Sequence, residues 1–187
     1  MRLITLEEHY RSKQVDAEMG NNYFRDMNTA GERMMKQLSD LTDLGEQRIA
    51  DMDKNGIDLQ VLSHTVPSPE ILEPARAIPL SQRVNDEIRE AIGRYPARFA
   101  GFATLPMADP SAAAKELERA VKQLGFKGAM IQGISQGRFL DDPFFSPLLE
   151  RAEALEVPLY LHRRRRPKPW RKPTSRDWSP GWREFSP

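Results

Sequence analysis

The strongest constraint in this chain is a rhythm of short apolar runs, each followed by a stretch of helix length. The runs are Leu3-Ile4-Thr5-Leu6, Leu59-Gln60-Val61-Leu62-Ser63-His64, and residues 99–105, 128–132 and 157–161. They are largely apolar throughout rather than alternating, the pattern of parallel strands buried on both faces. Between them lie helix signals. Residues 44–54 predict a helix with Ile49 and Met52 inward, stopped by Asn55-Gly56. Val84, Ile88, Ala91 and Ile92 share one helical face that ends before Pro96. Asp109 is an N-cap, Pro110 suits the first helical position, and Gly125 suits the residue past the end, with Leu117, Val121 and Leu124 as the apolar stripe. A fourth helix is expected over residues 145–155. Residues 11–33 show no period and read as a long loop, and Pro67, Pro69, Pro74 and Pro79 mark an irregular connection.

Strand–helix alternation fits an open doubly wound sheet or an eight-stranded barrel. No Gly-x-Gly-x-x-Gly follows the first run, which favours the barrel over the dinucleotide-binding sheet. In both architectures active sites gather at the carboxyl ends of strands. The first run is closed by Glu7-Glu8-His9, the second ends on His64 and the fifth on His162, so all three histidines fall on that rim. Alternation points Glu7 and His9 the same way and Glu8 opposite. A Glu-x-His pair supplies half of a divalent metal site, although a surface strand ending in charges reads the same way. His64 stands equally for a residue behind the ligands or for packing. Zinc and manganese suit such ligands alike.

There is no cysteine, so disulfides, thiolate metal sites and cysteine nucleophiles are excluded. No apolar run approaches the ~20 residues of a membrane span. Glu7, Glu8 and His9 occupy the place of a signal peptide's apolar core, so the cytoplasm is the expected location.

Four segments resemble a known family: Leu6-Glu7-Glu8-His9-Tyr10, residues 98–110 (Arg-Phe-Ala-Gly-Phe-Ala-Thr-Leu-Pro-Met-Ala-Asp-Pro), residues 124–129 (Leu-Gly-Phe-Lys-Gly-Ala), and Val157-Pro158-Leu159-Tyr160-Leu161-His162. They are similar to the amidohydrolase-related, metal-dependent, non-oxidative decarboxylases, typified by the gamma-resorcylate, dihydroxybenzoate and aminocarboxymuconate-semialdehyde enzymes. The resemblance implies a (β/α) barrel of TIM type and a divalent metal, zinc or manganese. It matches Glu7 and His9 to the ligands of the first strand and His162 to that of the fifth. It further implies an aromatic or unsaturated carboxylic acid as the small-molecule partner and loss of carbon dioxide as the reaction. A metal-dependent hydrolase or hydratase on the same barrel remains open.

The resemblance covers residues 1–162 and stops there. Family members continue through three more strand–helix units, with a histidine on the sixth strand and an aspartate on the eighth. The expectation is therefore an incomplete barrel of about five of the eight units. It carries two open strand edges that invite association into a homo-oligomer. A gap would separate Glu7 and His9 from His162, and the enzyme would be inactive or nearly so. Residues 163–187 carry a net charge of +7 against −6 for the rest, with all three tryptophans. Such a basic, aromatic tail could stack on and neutralise nucleic acid. The switch falls inside a motif, directly after His162, and favours frameshifted, disordered sequence over a nucleic-acid arm.

Overall fold

The computed structural model describes residues 1–24, 36 and 38–162. The expectations for residues 25–33 of the long loop and for the tail at 163–187 lie outside them. Five parallel strands carry the fold: β1 (Ile4–Tyr10), β2 (Leu59–His64), β3 (Phe99–Gly101), β4 (Ala129–Ile131) and β5 (Leu159–Leu161). β1, β2 and β3 form one ladder in sequence order, β4 and β5 another, and a parallel bridge from Ala103 to Ala129 joins the two. Strand order follows chain order, as barrel construction requires; a doubly wound sheet places its first strand inside.

The two faces of these strands bury different residues. Val61, Phe102 and Met130 pack together on the inner face with Leu59, Ala100 and Tyr160. Leu62, Ala103 and Ile131, the intervening positions, join the main core beneath the helices. That double burial leaves β4 apolar throughout, and in β2 it takes in Gln60, Ser63 and His64 as buried polar residues. β1 and β5 are the sheet edges, and Ile4, Leu6 and Leu161 are each about half exposed.

The helices are α1 (Lys13–Phe24), α2 (Glu46–Lys54), α3 (Pro74–Arg94), α4 (Pro110–Lys122) and α5 (Ser146–Ala154). Asp109 caps α4 as expected, its Oδ1 accepting the Ala112 N–H at 3.0 Å, and Gly125 adopts φ +76° just beyond its end. α3 presents Ala77, Leu80, Ser81, Val84, Asn85, Ile88 and Ala91 as one buried stripe. Burying Val84 and Ile88 contributes roughly 1.5–3 kcal/mol each. Gly128 lets β4 start against β5: a Cβ there would stand 2.3 Å from the Pro158 carbonyl oxygen.

Four expectations are corrected. The first strand does not stop at Leu6 but runs on through Glu7, Glu8 and His9 to Tyr10. The third strand is shorter than residues 99–105, with only Ala103 bridging beyond Gly101. Residues 13–24 form α1 instead of loop. Among its described side chains Val15 and Met19 pack against the core, and the Ser12 hydroxyl accepts the Gln14 N–H at 3.3 Å and starts the helix. Pro79 lies inside α3 rather than in a connection. A helix-interior proline costs about 3 kcal/mol, which the long buried stripe offsets.

Candidate metal centre

The register of β1 against β2 decides where its side chains point. Ile4 pairs with Leu59 and Thr5 with Gln60, whereas Glu8 pairs with Leu62, His9 with Ser63 and Tyr10 with His64. Two residues of β1, Leu6 and Glu7, therefore oppose Val61 alone, which makes a bulge, and Glu7 takes φ +56°. Leu59 and Val61 face inward, so Ser63 does too by alternation, and with it His9. Without the extra residue, Thr5 and His9 would share the outer face. The bulge turns His9 into the barrel.

His162 arrives from the other edge. Its N–H donates to the Ile131 carbonyl at 2.8 Å, and it follows the inward-facing Tyr160 at a spacing of two. One ligand atom each from Glu7, His9 and His162 lie within 4.8 Å of one another. The expected gap between the edges does not separate them, because the curled sheet turns the inner faces of β1 and β5 toward each other.

Burial, and then the neighbouring His162, lower the pKa of His9, which favours the neutral imidazole a metal ligand must be. The rings of His9 and His162 stand edge to face with centroids 5.0 Å apart. Ser63 Oγ lies 3.4 Å from His9 Nδ1, and the Arg48 guanidinium donates to the His9 carbonyl at 2.8 Å. His162 Nδ1 is buried and has no hydrogen-bond partner among the described residues. A buried orphan ring nitrogen beside a neutral imidazole and a carboxylate is the donor set a divalent cation takes, so these residues fit such an ion.

His64 is not part of this cluster. It is next to Ser63 on β2 and so faces the helix layer, where it is buried, edge-on to Tyr10. Its Nε2 accepts the Ser12 N–H at 3.2 Å, and burial pushes its pKa down to about 3. It ties the end of β1 to β2 and stays neutral. Three residues of the site were assigned no role from the sequence: Ser63, Arg48, and Tyr160, which lies inside the family-like segment 157–162 and whose hydroxyl donates to Glu7 Oε1 at 2.6 Å. Period two back from His162 would have found Tyr160; Ser63 and Arg48 had no sequence signal.

No helix among the described residues is long and apolar enough to cross a membrane. A family model described as amidohydrolase matches residues 33–177. The chain is 38% identical over 172 residues to a gamma-resorcylate decarboxylase of Polaromonas sp., covering 86% of this chain and 50% of that protein. Among solved structures it is similar to 5-carboxyvanillate decarboxylase of Novosphingobium aromaticivorans with bound manganese and 3-methoxy-4-hydroxy-5-nitrobenzoic acid. The TM-score is 0.79 at 35% identity, over 86% of this chain and 50% of that one. A dihydroxybenzoic acid decarboxylase of Polaromonas sp. with bound manganese and 2-nitroresorcinol gives 0.78 at 34%, over 90% and 51%. The chain spans about half the length of the relatives it matches.

Proposed function

The chain belongs to the amidohydrolase family, and from that premise we propose that it serves the metal-dependent, non-oxidative decarboxylation of an aromatic carboxylic acid, with Glu7, His9 and His162 as ligands of manganese or zinc. The observation that carries this reading is the convergence of the three ligand atoms from two strands far apart in sequence. The relatives supply the reaction class: each is named for removing a carboxyl group from an aromatic acid.

When bound, a divalent cation supplies Lewis-acid neutralisation and a template for the substrate's carboxylate and an adjacent ring oxygen. Glu7 contributes the one charge among the three ligands. His9 is held for this task by Ser63 at its ring and by Arg48 at its carbonyl. The inner apolar layer of Val61, Phe102 and Met130 lies on the same inner face as the site, and apolar surroundings strengthen electrostatic contacts beside them.

The test is to load the purified chain with Mn²⁺ and assay carbon dioxide release from a panel of ortho-hydroxybenzoates, beside Glu7→Gln. Release that depends on both Mn²⁺ and Glu7 supports the reading. Lactone hydrolysis without carbon dioxide release would move it to the hydrolase branch.

A further inference from the structure

We propose that Tyr160 is a positioning residue for the metal centre: its phenol fixes the Glu7 carboxylate in the orientation that meets His9 and His162. This rests on the reading of those three residues as ligands. Glu7 sits in a bulge of an edge strand and is exposed, so burial does not order its side chain. Ordering a free glutamate side chain costs up to about 1.5–2 kcal/mol, which weakens binding unless a neighbour orders it beforehand.

Tyr160 provides that order. Its Oη–H donates to Glu7 Oε1 at 2.6 Å, the short distance of a hydroxyl bound to a carboxylate. A phenol occupies one lone pair of one oxygen, so Oε2 remains open for an ion. The tyrosine ring is itself fixed. It lies nearly parallel to Phe102, with centroids 5.9 Å apart and 21° between planes, and belongs to the inner apolar layer with Met130, its register partner on β4. Tyr160 precedes His162 by two on the same strand face. One short strand thus brings both a ligand and the brace for the ligand opposite.

The experiment is a Mn²⁺ titration of wild type, Tyr160→Phe, Glu7→Ala and the double variant, following the electron paramagnetic resonance signal of free Mn²⁺, with thermal melting in chelator alongside. Tyr160→Phe keeps the stacking ring and removes only the hydroxyl. The expected result is a roughly 10-fold weaker Mn²⁺ affinity, the low end of the range for such supporting contacts, with melting in chelator unchanged. In the Glu7→Ala background the same change should have no further effect, because the hydroxyl has lost its partner. Equal affinity of wild type and Tyr160→Phe, with Glu7→Ala clearly weaker, would overturn the role of Tyr160 and leave the metal centre standing. So would a loss that persists in the Glu7→Ala background. Wild type that leaves all Mn²⁺ free would overturn the metal centre and Tyr160's role with it.

Discussion

Two polar clusters in this molecule have opposite character. Asn85 on α3 is completely buried and closes a ring of contacts: its Nδ2 donates to the Thr104 carbonyl and to Glu116 Oε1 at 3.0 and 2.7 Å, while its Oδ1 accepts the Thr104 N–H at 2.8 Å. Glu116 is in turn paired with Arg119 at 2.8 Å, which raises the Arg119 pKa and keeps the guanidinium charged. Every charge in that cluster has a partner. The rim cluster of Glu7, His9 and His162 instead leaves His162 Nδ1 orphaned and places Glu7 at positive φ. A satisfied network is scaffold; a half-satisfied, strained one at the strand ends is the arrangement expected of the proposed metal centre.

Breaking the closed cluster should have the largest effect. Asn85→Ala leaves the Thr104 N–H buried and takes one donor from Glu116, so a loss of about 3 kcal/mol in denaturant-measured stability is expected. A loss below 1 kcal/mol would show that water fills the ring and that the contrast is overstated. Next, His162→Asn should weaken Mn²⁺ binding by roughly 100-fold, about 2.8 kcal/mol, with chelator-treated stability unchanged; isothermal calorimetry beside denaturant melts checks both. Glu7→Gly relieves the left-handed backbone and should raise the stability of the metal-free chain by about 1 kcal/mol while removing a ligand. A destabilised Glu7→Gly chain would mean the bulge is held by that side chain rather than in spite of it.

The smallest effect concerns Glu87, which accepts hydrogen bonds from Tyr10 and Ser12. Desolvation, and then Glu90, push its carboxyl up from the ordinary 4.5 to about 7. The folded state therefore holds a proton that the unfolded chain has released, so stability falls as pH rises from about 4.5 to 7. Glu87→Gln should flatten that decline; urea melts at pH 4.5, 6 and 7.5 read it, and an unchanged slope would place the titration elsewhere. Glu87 is then intermediate between the two clusters, fully partnered yet able to change charge.

Much of this was legible along the chain. Asp109 and Gly125 bracketed α4 because capping is a local matter between residues three or four apart. β2 was readable to its ends because Leu59, Val61 and Leu62 mark it on both faces, even with the polar Gln60, Ser63 and His64 buried among them. α1 was not legible because its residues read as polar and Asn-rich, and the packing of Val15 and Met19 against the core arises only in the folded chain. Pro79 misled in the opposite direction, a strong local signal overruled by the stripe of α3. Of the proposed site, the candidate residue types and their place on the rim could be read, whereas Ser63, Arg48 and Tyr160 acquire meaning only from the partners they touch.

The sequence alone determined that strands and helices alternate, that the inner strands are buried on both sides, and that carboxylate and imidazole groups stand at strand ends. These depend on side-chain period and on caps, interactions spanning a few residues. Only the tertiary structure decided which of those groups meet. The register of β1 on β2 inserts one extra residue and turns His9 inward, while the same ladder leaves His64 facing the helices. The curl of the sheet then carries His162, 153 positions further along, to within ligand distance of His9. Register and curl are set by contacts across the whole chain, and no local run of residues encodes them.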